Sequence, residues 1–172
     1  MMSEEMSEKA LHGHFWRDTK DQYVIFSLAG EEYGIHILSV QEIIGVPHLT
    51  RLPNTPSFVK GVINLRGEII PIIDLRSRFF FEEQELTRHN VIIVVQLKED
   101  EYTKVIGLLV DMVEDVLSLT KEQMQDIPLF SSNIDSRFIE HIGMLEERLI
   151  IILDISHIFE SDETKELERF LS

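Results

Sequence analysis

The sequence predicts a mainly β protein: two similar small units packed around a shared hydrophobic seam. Three observations predict it. Short β-branched and aromatic runs recur with turn signals between them, which suits small barrels or sandwiches. The second half repeats the grammar of the first. The chain has 172 residues, 44% of them hydrophobic, so a real core is available, yet each half alone is too small to bury much.

Residues 1–21 are polar, mixed in charge and aperiodic, and read as a flexible tail in which Phe15 and Trp16 form an aromatic pair able to dock on the body. "YVIFSL" and "YGIHI" read as strands around the turn "AGEE". "LSVQEIIGV" is mixed, and helix and strand compete there. In "NTPSFVKG", Thr55 can cap, Pro56 suits a first helical position and Gly61 suits an exit, so a short helical turn is expected. "GVINL" and "EIIPIID" are strands joined at Arg66-Gly67, with Pro71 favouring an edge or bulge. "NVIIVVQL" and "YTKVIGLLV" form a hairpin over "KEDE", and "VEDVLSL" is a strand. Thr120, with Gln123 three residues on, signals a capped helical turn. "RFIEHIGML" and "RLIIILDI" form a last strand pair. Residues 161–172 read as a C-terminal helix capped by Ser161 or Asp162.

The repeat is gapless over 58–79 and 138–159. Phe58, Leu65, Ile70, Ile72, Asp74 and Phe79 fall on identical residues 80 positions later. A second match sets 33–44 on 106–117: Gly34 on Gly107, Val40 on Val113, Glu42 on Asp115 and Ile43 on Val116. The units are expected at about 22–85 and 86–160, with strand exchange between them left open. Asp74 and Asp154 recur just after an apolar strand and are expected to cap short helices. Arg66-Gly67 becomes Glu146-Glu147, so the arginine is a choice of the first half and not of the scaffold.

Composition narrows function. The formal charge is −15, from 31 acidic and 16 basic residues. No Lys/Arg cluster exists for nucleic acid or an anionic membrane surface. Absence of cysteine removes disulfides and thiol chemistry and fits the cytoplasm. The start, "MMSEEMSEKALHGHF", is no secretory signal, and runs such as "VIIVV" are too short to span a bilayer. No glycine-rich phosphate loop, G-x-S-x-G or H-E-x-x-H is present. "HGH" at 12–14 lacks further ligands, and His36, His89, His141 and His157 read as surface or satisfied residues. Neither a catalytic set, a metal site nor a cofactor is expected. A binding protein is the better class; a small-molecule binder or hydrolase using the seam as a pocket is its competitor.

Residues 26–76, with "EEYGI", "VQEI", "NTPSFVKGVINLRG" and "PIIDLR", closely resemble the CheW family of chemotaxis coupling proteins, and "IGLLVDMVEDVLSL" resembles the family's second-half motif. The similarity covers about 22–160. It implies two SH3-like five-stranded β-barrels around a hydrophobic seam. It also implies a cytoplasmic, non-catalytic adaptor joining chemoreceptor tips to the regulatory domain of the histidine kinase CheA, with other CheW-like domains completing array rings. A paralogue serving pili or development is the alternative within the family. The resemblance assigns receptor binding to Val40, Glu42 and Arg66 and, across the seam, to Val91, Gly107, Val113 and Val116. It assigns kinase binding to the neighbourhood of Ile44, His48 and Arg51. A stand-alone coupling protein, without a receiver, phosphotransfer or ATP-binding domain, is the expectation.

Overall fold

The computed structural model describes residues 21–98, 101–126 and 136–158. Most of the expected tail and the whole C-terminal helix lie outside them. Eleven strands are described: β1 (Asp21–Leu28), β2 (Glu31–His36), β3 (Val40–Gly45), β4 (Val59–Leu65), β5 (Glu68–Asp74), β6 (Val91–Lys98), β7 (Thr103–Val110), β8 (Met112–Leu119), β9 (Met124–Gln125), β10 (Ile139–Leu145) and β11 (Arg148–Leu153). One-turn helices α1 (Leu75–Arg78) and α2 (Ile155–Ile158) follow β5 and β11. No helix among the described residues is long and apolar enough to cross a membrane.

The strands form two sheets, in the orders β8-β1-β2-β11-β10-β9 and β3-β6-β7-β5-β4. The sixth strand of the first sheet is the two-residue β9. Each sheet draws on both halves of the chain. Hairpin β1–β2 joins the second-half strands, and hairpin β6–β7 joins the first-half strands. The boundary near residue 85 therefore divides the repeat but not the sheets. The joints are parallel pairs, with Ile152 opposite Gly34 and Ile72 opposite Gly107. These are the residues the two repeat offsets superpose. Gly107 is needed for room: a Cβ on it would lie 2.5 Å from Ile72 Cδ1 and 2.7 Å from Ile92 Cγ2.

Three clusters fill the molecule. One lies inside the β3–β7 sheet and contains Ile63, Ile70, Ile72, Ile92, Val94 and Leu109. A second lies inside the other sheet and contains Tyr23, Ile25, Leu119, Ile150 and Ile152. The largest lies between the sheets and takes Val24, Phe26 and Leu28 from one and Ile93, Val95 and Leu108 from the other. This is the seam. "VIIVV" is uninterrupted because Ile92 and Val94 face a barrel interior while Ile93 and Val95 face the seam.

The five-stranded sheet is closed by a bridge between its edges. Thr50, just after β3, exchanges hydrogen bonds with Val62 of β4, N–H to carbonyl, at 2.9 and 2.8 Å. In the other sheet β9 does the same work, with Gln125 opposite Ile142. The Thr55–Gly61 helical turn is not formed. That segment makes a turn, with the Val59 amide donating to the Pro56 carbonyl at 3.0 Å, and enters β4. Gly61 serves the closure instead: its φ is +148°, and a Cβ there would lie 2.3 Å from the Thr50 carbonyl oxygen. Pro71 lies on an inner strand and not an edge, but β5 pairs with β7 only from Ile72 onward, so Pro71 precedes that ladder. Asp74 caps α1 by accepting from the Arg76 amide at 3.0 Å, and Asp154 accepts from the Ser156 amide at 3.1 Å. Burial pushes the Asp154 carboxyl up, but the Ser156 and His157 hydrogen bonds outweigh it and hold the group below the usual range. Thr120 donates its amide to Gln123 Oε1 at 2.8 Å over a three-residue 3-10 turn.

Candidate functional site

The site builds from two equivalent edge strands. β3 and β8 each follow the point where the chain crosses from one sheet to the other, and each is the outer strand of its sheet. "VQEIIG" forms a strand that carries the β-branched Val40, Ile43 and Ile44, with half-buried and exposed positions alternating along it. A bulge interrupts each strand near its start. Val40 pairs with Val95 and Glu42 with Val94, leaving Gln41 extra. Val113 pairs with Phe26 and Asp115 with Ile25, leaving Glu114 extra. Gln41 and Glu114 are repeat equivalents.

The bulges reset which face each residue occupies. Val40 lies opposite Val95 and faces the seam; Glu42 lies opposite Val94 and faces the barrel interior. Beyond the bulge Ile43 returns to the seam face and is exposed, while Ile44 packs into the barrel. In β8, Val113 packs against the seam and Val116, opposite Val24, is exposed on the same face. The result is a matched apolar quartet at the seam margin: Val40 and Ile43 from one sheet, Val113 and Val116 from the other. Val91 packs against the same cluster from the start of β6.

Arg66 occupies the tip of the β4–β5 hairpin. Its φ is +49° and that of Gly67 is +90°, as a two-residue turn between paired Leu65 and Glu68 requires. Asn64 Oδ1 accepts from the Gly67 amide at 2.8 Å and steadies the turn. Glu146, the repeat equivalent, also has positive φ, so this conformation belongs to the scaffold and only the arginine is local. From that tip Arg66 Nη2 donates to Glu42 Oε2 across the barrel mouth. The bond raises the guanidinium pKa, and the charges of Glu42 and Glu68 add to it.

The expected receptor residues thus separate into classes. Val40, Val113 and Val116 lie at the seam margin, Val91 packs against the same cluster, and Glu42 and Arg66 pair at the mouth of the first barrel. Gly107 is enclosed on β7 and offers no surface. Of the expected kinase residues, His48 and Arg51 are exposed in the segment after β3, whereas Ile44 packs into the first barrel. Sequence reasoning passed over Ile43. The signal for it was its alignment with Val116.

A CheW-like domain model matches residues 22–163. The chain is 44% identical to the chemotaxis protein CheW of Klebsiella aerogenes over 83% of each chain. It is 30% identical to that of Bacillus subtilis, over 86% of this chain and 92% of the relative. Among solved structures it is similar to the scaffolding protein TtCheW of Thermoanaerobacter tengcongensis, with a TM-score of 0.76, 35% identity, and 84% of this chain and 95% of that one covered.

Proposed function

The chain belongs to the CheW-like family, and from that premise we propose that it is a non-catalytic adaptor coupling chemoreceptor cytoplasmic tips to the histidine kinase CheA. The observation that carries this reading is the apolar quartet at the seam margin, flanked by an exposed arginine. A receptor tip is helical, and an amphipathic helix recognises a surface of this kind by laying its apolar face on it. Val40, Ile43, Val113 and Val116 would receive that face, with Arg66 and Glu42 fixing register at the rim. Arg66 donates to Glu42 and keeps a side chain 66% exposed, so it can reach a partner's acceptor. The kinase regulatory domain would meet a separate surface near His48 and Arg51, and further CheW-like domains would extend the contacts into rings. The protein works in the cytoplasm and reaches the membrane through its receptors. Signal passes as a coupling free energy between the two faces.

A filled seam argues against the small-molecule alternative, because the residues between the sheets are closely packed hydrocarbon. The test is binding of the full chain to a receptor-tip fragment and to the kinase regulatory domain, measured by calorimetry. Both are expected to bind. Arg66→Ala is expected to weaken receptor binding while leaving Tm and kinase binding as they were. Failure of the wild-type chain to bind either partner overturns the reading; a large fall in Tm for Arg66→Ala would make that residue structural.

A further inference from the structure

The two barrel mouths carry the same ionic set in a different order. In the first, carboxylates Glu42 and Glu68 flank Arg66. In the second, carboxylates Glu32 and Asp115 flank Arg148. The repeat offsets place Glu42 on Asp115, Arg66 on Glu146 and Glu68 on Arg148. The strand carboxylate is therefore kept, and the arginine has moved two residues along the hairpin.

The register explains how it still reaches its partners. Arg148 shares a strand face with Ile150 and Ile152, which fill the second barrel, so its side chain lies at that barrel's mouth. Glu32 is opposite Ile150 on β2, and Asp115 is opposite Ile25 on β1, so both turn the same way. Arg148 Nε and Nη2 donate to the two carboxylate oxygens of Glu32 at 3.0 and 2.8 Å. Nη2 also lies 3.8 Å from Asp115 Oδ2. The paired geometry with Glu32 raises the arginine's pKa and holds the Glu32 carboxyl below its ordinary value. The Arg148 side chain is 35% exposed, against 66% for Arg66. The first arginine is open to a partner, and the second is committed within the chain.

Beyond its pair with Glu32 on the inner strand β2, Arg148 reaches an outer strand through Asp115. Among the described residues β8 has a backbone ladder on one side only, with β1, and Asp115 sits between Val113 and Val116. We propose that Arg148 is a positioning residue: anchored on Glu32, it tethers β8 through Asp115 and so sets the spacing of Val113 and Val116 from Val40 and Ile43. The inference rests on the reading of that quartet as the receptor surface.

The test uses the full chain with 13C-labelled valine methyls, alongside binding of the receptor-tip fragment. In Arg148→Ala, the Val113 and Val116 methyl signals shift while Val40 stays in place. Receptor affinity falls about fivefold or more, with kinase-domain binding unchanged. Asp115→Asn, which leaves the Glu32 pair intact, shifts the same two signals. Glu146→Arg combined with Arg148→Gln returns the arginine to the first-barrel position and restores both signals and affinity. Unmoved valine signals in Arg148→Ala overturn the proposal, as do shifts spread through both barrels or a double variant that rescues nothing. A wild-type chain that binds no receptor fragment would instead sink the receptor reading, and the valine signals would still decide the tether.

Discussion

At the scale of the residue, Gly107 shows how a position shared by both halves differs from one used for recognition. It aligns with Gly34, and each glycine faces an isoleucine from the opposite half across a parallel joint. Family resemblance places Gly107 on the receptor surface, but the strand around it is enclosed and Ile72 and Ile92 take the space a side chain would need. Ile92 Cγ2 belongs to a β-branched residue packed in a barrel core, so it cannot simply swing away. Gly107→Ala should therefore cost about 1–3 kcal/mol by overpacking. Each kcal/mol lowers Tm by about 2–4 °C in a chain of this size. Denaturant unfolding measures it. Unchanged stability with lost receptor binding would return Gly107 to the contact surface. Arg66 is the opposite case. The half that lacks it also holds a positive φ at the equivalent Glu146, so nothing in the scaffold asks for a guanidinium there.

At the scale of the element, bulges and closures decide what the strands present. "VQEIIG" reads as mixed in sequence because one extra residue at Gln41 exchanges the two faces within the strand. The resemblance named Ile44 and passed over Ile43, whereas the fold packs the first against a barrel core and exposes the second. The closure at Thr50 was hidden for a related reason. Its partner Val62 belongs to a strand beyond an intervening loop, and Gly61 read locally as a helix exit. Caps were legible, since Asp74 and Asp154 act within two residues of themselves. The closure makes a direct prediction. Gly61→Ala puts a methyl against the Thr50 carbonyl and demands a φ that L-residues avoid. The Thr50–Val62 bridge should open while the β6–β7 ladder stays intact. Hydrogen exchange measures this: faster exchange confined to the Thr50 and Val62 amides and their neighbours is expected. Unaltered protection there would show that the barrel closes without the bridge.

At the scale of the whole molecule, the two halves are related by an approximate two-fold arrangement, and the seam is where that symmetry is broken. The repeat in the sequence predicted the paired units and the apolar seam. It did not reveal that the hairpins change places, because a hairpin's sequence specifies its own turn and not the sheet it joins. Arg78 marks the break. Its repeat equivalent is Ile158, and its Nε donates to that residue's carbonyl at 3.1 Å. Its guanidinium carbon lies 5.1 Å from the ring centre of Phe58 and 4.5 Å from that of Phe138, which are themselves equivalents. Two arginines could not share this place, so one half supplies the cation and the other the carbonyl. Arg78 thus fastens α1 to α2 across the seam, stacked between an aromatic ring from each half. Removing it leaves a void between two phenylalanines and an acceptor without that donor, and Arg78→Ala should cost about 2–4 kcal/mol. Since the largest cluster lies between the sheets, neither barrel keeps its core without the other, and the loss should be felt by both. Calorimetry of the wild type should show one cooperative transition, and Arg78→Ala should move it down as one. A variant that separates into two transitions would mean that the barrels are stable alone and that the seam, with Arg78 in it, is an interface between domains.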